Sequence, residues 1–100
     1  MTRLEQKHNV HLVKCVEPYF SDLKSGVKTF EVRKDDRDYK VGDLFSPYLF
    51  PILSIAPSLL NFVITYILRD SNYCKEGYVI LGIRPINKET IMEELRGSGK

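Results

Sequence analysis

The sequence has no tryptophan and only two cysteines and two methionines. Cys15 and Cys74 lie far apart, with no CxxC and no histidine beside them, so neither a zinc site nor a disulfide framework is indicated. No metal and no cofactor is expected. Charge of one sign is also scarce. Fifteen Lys+Arg oppose thirteen Asp+Glu and leave a net charge of +2, too little for a polycation that holds nucleic acid through bulk charge. An anionic partner must therefore be met by a local patch. GxGxxG, Walker, HExxH and GxSxG patterns are missing, which removes the minimum parts of nucleotide-fold, zinc-protease and serine-hydrolase readings. Residues Met1 to Lys7 are charged and hold no apolar core of a signal peptide, so a reduced, cytoplasmic location is expected.

One long uncharged run exists, from Leu44 to Leu68, and its length alone would cross a bilayer. Pro47, Pro51 and Pro57 interrupt it, each costing roughly 3 kcal/mol inside a helix. Ser46, Ser54, Ser58 and Asn61 dilute it further. A strand, a proline-rich loop and a second strand fit better than a membrane span, and no membrane partner is expected.

What is present is ordinary globular composition, 43% hydrophobic and 28% charged over 100 residues, enough for one domain. The expected boundaries are 8–96, with flexible ends at 1–7 and 97–100. Alternation predicts a strand over His8 to Val16. His8 and His11 would then project from opposite faces, which spoils them as joint metal ligands and makes them surface or half-buried side chains. A helix of about two turns follows Pro18, carries Tyr19, Phe20 and Leu23, and stops at Ser25-Gly26. From Lys28 the period is again two, with Phe30 and Val32 on one face and Thr29, Glu31 and Arg33 on the other. Further strands are expected at Leu44 to Leu49, Phe62 to Leu68 and Gly77 to Arg84, separated by the charged turn Lys34 to Asp38, the Gly42-Asp43 connection and the loop Phe50 to Leu60. A last helix after Pro85 would carry Ile91, Met92 and Leu95 and end at Gly97. The pattern is that of a small α+β domain with a curled or closed sheet.

The densest chemistry lies between Lys24 and Asp38, where five cations and four anions crowd a helix-to-strand junction. A solvated rim of ion pairs, each worth about 0 to 1 kcal/mol, would account for the charges alone. Against it, Glu31 and Arg33 share a face with Thr29, placing a hydrogen-bond acceptor beside a planar donor fork that can read a base edge or hold a phosphate. The residues Gly26-Val27-Lys28-Thr29-Phe30-Glu31-Val32-Arg33 resemble the GxKxxExR signature of the ASCH domains of the PUA-like superfamily. The segments His11 to Lys14, Tyr19-Phe20, Arg33 to Asp43, Val63 to Leu68 and Gly77 to Leu81 strengthen the likeness to ASCH-like domains of bacteria and phages, over about residues 8 to 84.

That resemblance implies a β-barrel of five to six strands with a cleft beside the early helix, and a role in binding RNA or a nucleotide-like ligand. The cleft residues expected from it are Lys28, Thr29, Glu31, Arg33, Lys34 and Arg37. Some ASCH proteins are amidohydrolases of acetylated cytidine that use a lysine, a threonine and a glutamate. Lys28 occupies the lysine position, whereas Glu31 stands where their threonine would be. If the protein is an enzyme, Lys28 and Glu31 are its candidate catalytic groups; a binding protein is the first expectation. The apolar segment Phe45 to Leu60 departs from the polar hairpin usual in similar proteins. It either fills the barrel floor or forms an exposed patch for a homodimer or another protein partner.

Overall fold

The computed structural model describes residues 9–51 and 60–86. The expected last helix, both flexible ends, His8, and Ile52, Leu53, Ile55 and Leu59 of the apolar segment lie outside them. In chain order the elements are β1 (Val10–Cys15), α1 (Tyr19–Ser25), β2 (Phe30–Lys34), β3 (Leu44–Leu49), β4 (Phe62–Leu68) and β5 (Tyr78–Pro85). Each strand lies within a residue or two of the stretch its alternation predicts. They form one five-stranded sheet in the order β1-β3-β4-β5-β2. The pair β1 and β3 is parallel and the other neighbours are antiparallel. The result is a small α+β domain whose sheet curls into a half-barrel.

Strict alternation in β1 buries His11, Val13 and Cys15 and exposes Val10, Leu12 and Lys14. His11 is thus a core residue, not the surface or half-buried one that its isolation suggests, because it falls in phase with two apolar neighbours. Helix α1 buries Phe20 and Leu23, while Tyr19 stays exposed. Its first turn is capped from one residue upstream of Pro18: the Glu17 carboxylate accepts the Ser21 N–H at 2.8 Å and the Ser21 hydroxyl at 2.7 Å. The hydroxyl, then the N–H, hold the Glu17 carboxyl below its ordinary range. Gly26 ends the helix in the left-handed region at φ 85°, which a residue with a side chain adopts only under strain.

Two irregularities interrupt the regular ladder of the sheet. Pro47 lies within β3, yet the β3–β4 ladder is limited to Leu44 and Phe45. Leu44 and Phe50 donate to β1, which turns the backbone of Pro47 to the other side, where its carbonyl accepts from Leu60. Its missing N–H costs no ladder bond there. In β4 the register shifts between Ile64 and Tyr66. The bulge lets both Ile64 and Ile67, three residues apart, turn to the core.

The core is Val13, Cys15, Phe20, Leu23, Tyr39, Phe45, Phe62, Ile64, Val79, Leu81 and Ile83, with Leu49, Leu60 and Ile67 packed against it. The apolar segment is thereby resolved in part. Phe45, Leu49 and Leu60 belong to the core, and Phe50 lies outside it with the Lys14 ammonium over its ring at 4.7 Å. Phe45→Ala should therefore cost about 3 to 5 kcal/mol in urea unfolding, the range for a deleted core phenylalanine. Phe50→Ala should cost no more than about 1 kcal/mol. Equal losses at the two positions would show that the core and surface assignments are wrong.

Candidate functional site

In β2 the usual sense of burial is inverted. Glu31 is 4% exposed and Arg33 is partly buried, whereas Phe30 and Val32 are 47% and 52% exposed. The alternation is the one read from the sequence, but the polar face points inward. A carboxylate cannot stay buried without donors, and two are supplied. Lys28 Nζ donates to Glu31 Oε1 and to the Phe30 carbonyl at 2.7 Å, and Arg33 Nη1 donates to Glu31 Oε2 at 3.3 Å. The Lys28 ammonium also lies 5.0 Å from the Phe30 ring centroid and 5.7 Å from that of Tyr19. Glu31 is therefore not part of a solvated rim.

Arg33 has a second role, set by the edges of the sheet. Leu44 donates to the Asn9 carbonyl and Phe50 to that of Cys15, so the odd residues of β1 bond to β3. The backbone groups of Leu12 and Lys14 point the other way. In β2, Thr29 accepts from Ile83 and Asp35 donates to Gly77, so the odd residues bond to β5. The backbone groups of Phe30, Val32 and Lys34 face the open edge. Curling brings these two edges opposite each other, and arginine side chains bridge them. Arg33 Nη1 donates to the Lys14 carbonyl at 3.1 Å and Arg37 Nη1 to the Leu12 carbonyl at 2.9 Å.

At this seam lies an open cleft of about 250 Å³ lined by Val32, Arg33, Lys34, Asp36, Arg37 and Tyr39. The six residues expected from the sequence are thus divided. Arg33, Lys34 and Arg37 line the cleft, Lys28 and Glu31 stand behind Arg33, and Thr29 is exposed beside them with its carbonyl engaged by Ile83. Each guanidinium bonds through Nη1 and carries further N–H groups on Nε and Nη2.

Sequence reasoning missed the support beneath the cleft. Tyr39 is buried, and its ring lies 4.7 Å from that of His11 and 6.3 Å from that of Phe45. His11 Nε2 contacts Asp43 Oδ2 at 2.8 Å, and the same carboxylate accepts the Asn9 and Lys40 N–H groups. The available signal was the inward phase of His11 together with an aspartate directly after Gly42. Burial pushes the Tyr39 phenol above its ordinary value in spite of the nearby Arg33 and Arg37 cations. It is a neutral hydroxyl at physiological pH.

Cys15 lies beside the same charges. Burial first, then the Glu31 carboxylate, push its thiol up, outweighing Lys28 and Arg33. The folded thiol therefore stays neutral where an unfolded one ionises. Its contribution to stability should be constant below about pH 8.5 and fall above it, as the unfolded state loses the proton that the folded state keeps. A disulfide reagent at pH 8 should leave Cys15 unmodified in the folded protein and modify it after addition of urea. Rapid modification of Cys15 in folded Cys74→Ser protein would contradict this.

Among the described residues no group of His, Cys, Asp and Glu is arranged to hold a metal ion. No curated protein matches the chain. A family model for a domain of unknown function, DUF3850, matches residues 10–83, a span that begins with β1 and reaches Ile83 in β5. It takes in the whole seam and its cleft, and the chain belongs to the DUF3850 family of domains.

Proposed function

We propose that the domain is an ASCH-type, PUA-like module that binds RNA or a nucleotide-like ligand at the seam cleft. The observation that carries this reading is the convergence of Arg33, Lys34 and Arg37 on one open cleft that contains a single carboxylate, Asp36. The local excess of positive charge attracts phosphate although the whole chain is nearly balanced. Planar guanidiniums with N–H groups to spare match phosphate oxygens and base edges geometrically. Glu31 is too deeply buried to meet a base edge itself. Its part is to hold Arg33 at the cleft wall, so it is a positioning residue.

The roles of the three groups separate in a binding panel of single-stranded RNA oligomers at fixed salt. Arg37→Ala should weaken all oligomers alike and reduce the salt dependence of log K by about 0.7 to 1 unit, the loss of one phosphate contact. Arg33→Lys keeps the charge but not the fork, so it should change the ranking of oligomers more than the salt slope. Glu31→Ala should also change the ranking, through loss of Arg33 placement. If no RNA binds near physiological salt, or none of these variants alters affinity or ranking, the proposal fails and the charges are a structural rim.

A further inference from the structure

Because Glu31 and Arg33 face inward, the outer surface of β2 is apolar, and the two strands beside it continue that surface. The register places Phe30 opposite Gly82 and Val32 opposite Ile80 on β5, with Tyr66 and Leu68 of β4 on the far side of the same two residues. Tyr66 is 65% exposed and Phe30 is nearly half exposed. Gly82 lies between them as a floor without a side chain; a Cβ there would approach the Tyr66 Cβ to 3.3 Å. Phe30 and Tyr66 stand two strand spacings apart, about 10 Å between backbones. Neither ring packs against another ring among the described residues, and the Lys28 ammonium lies over the Phe30 ring.

The charge on this surface has one sign. Along the outward positions of β2, β5 and β4 the only ionisable groups besides tyrosine are Lys34 and Arg84, both exposed. The Lys28 ammonium lies 5.0 Å from the Phe30 ring and Lys75 lies 5.2 Å from that of Tyr78. Asp35, the carboxylate that follows β2, is paired with Arg69 at 2.8 Å. Exposed aromatic rings on a sheet with cations beside them complement a chain of stacked bases joined by phosphates. Val32 and Lys34 belong both to this surface and to the seam cleft, so one strand of nucleic acid can engage the two together.

We propose that the outer face of β2–β5–β4 is a stacking platform on which Phe30 and Tyr66 each carry an unpaired base of single-stranded RNA. The proposal rests on the reading of the domain as an RNA binder, and it specifies the ligand as single-stranded and at least two nucleotides long. A duplex keeps its bases stacked on one another and cannot use the rings.

The test uses the full chain and a fluorescein-labelled adenosine octamer, followed by anisotropy, with the same octamer paired to its complement as the duplex probe. Tyr66→Ala and Phe30→Ala should each weaken binding of the single strand about tenfold or more. Tyr66→Phe should retain it, and the duplex should bind worse than the single strand. Tyr66→Trp would give the protein its only tryptophan, whose fluorescence stacked adenines should quench. If both alanine variants bind like the parent while Arg37→Ala binds less well, the platform is overturned and the seam-cleft reading stands. If the alanine variants lose affinity and Arg37→Ala does not, the platform stands and the cleft reading fails. If no oligomer binds, both fail. Sedimentation showing self-association without RNA that Tyr66→Ala removes would assign the face to a second copy of the chain and overturn the proposal.

Discussion

A carboxylate turned into the interior of a small domain constrains everything near it. Glu31 needs donors, and the two within reach, Lys28 and Arg33, are fixed on either side of it in sequence. The two-residue period of a strand allows no compromise. With Glu31 and Arg33 inside, Phe30 and Val32 must lie outside. The buried charge group and the exposed apolar face are one consequence of a single choice of strand phase. An ion pair of this kind adds little stability relative to a well-packed apolar side chain. Its structural effect is directional: it aims a guanidinium at the opposite edge of the sheet.

That edge is the second constraint. A five-stranded sheet that curls without closing leaves two strands with unpaired backbone groups, a configuration proteins protect against foreign strands. Here the protection is by side chains. Arg33 and Arg37 reach the Lys14 and Leu12 carbonyls at points that a sixth strand would otherwise occupy. Bridging by long side chains keeps the edges farther apart than a backbone ladder would. The space left over is the cleft, lined by the arginines that bridge it.

Much of the fold was legible. β3 and β4 were bounded to the residue by composition and flanking turns, and α1 by Ser25-Gly26 at its end. Lys28, Glu31 and Arg33 were also rightly grouped, since three polar groups at a helix-to-strand junction are a local signal. The sense of β2 was not legible, because alternation gives the phase of a strand but not which face meets the core. Long-range pairing decides that, through β5 on one side and the Lys14 carbonyl on the other. For the same reason Glu31 could be suspected of reading a ligand, whereas the fold buries it against Lys28 and Arg33. The roles of His11 and Asp43 were hidden because their partnership spans 32 residues of sequence and exists only once β1 lies beside β3.

The His11–Asp43 contact also links the seam to the core. Asp43 accepts the Asn9 N–H just before β1 and the Lys40 N–H in the turn before β3, and it contacts the His11 ring between them. One buried carboxylate thus ties the start of β1 to the turn that carries Tyr39. Tyr39 packs against His11 on one side and Phe45 on the other, while its edge forms part of the cleft lining. The wall of the cleft is therefore continuous with the apolar core through ring contacts, whereas its rim carries exposed Lys34 and Arg37 beside partly buried Arg33. In the proposed binding role, the ring contacts would fix the cleft wall, while Arg33 and Arg37, held through Nη1 to the opposite edge, would offer their remaining N–H groups to the ligand.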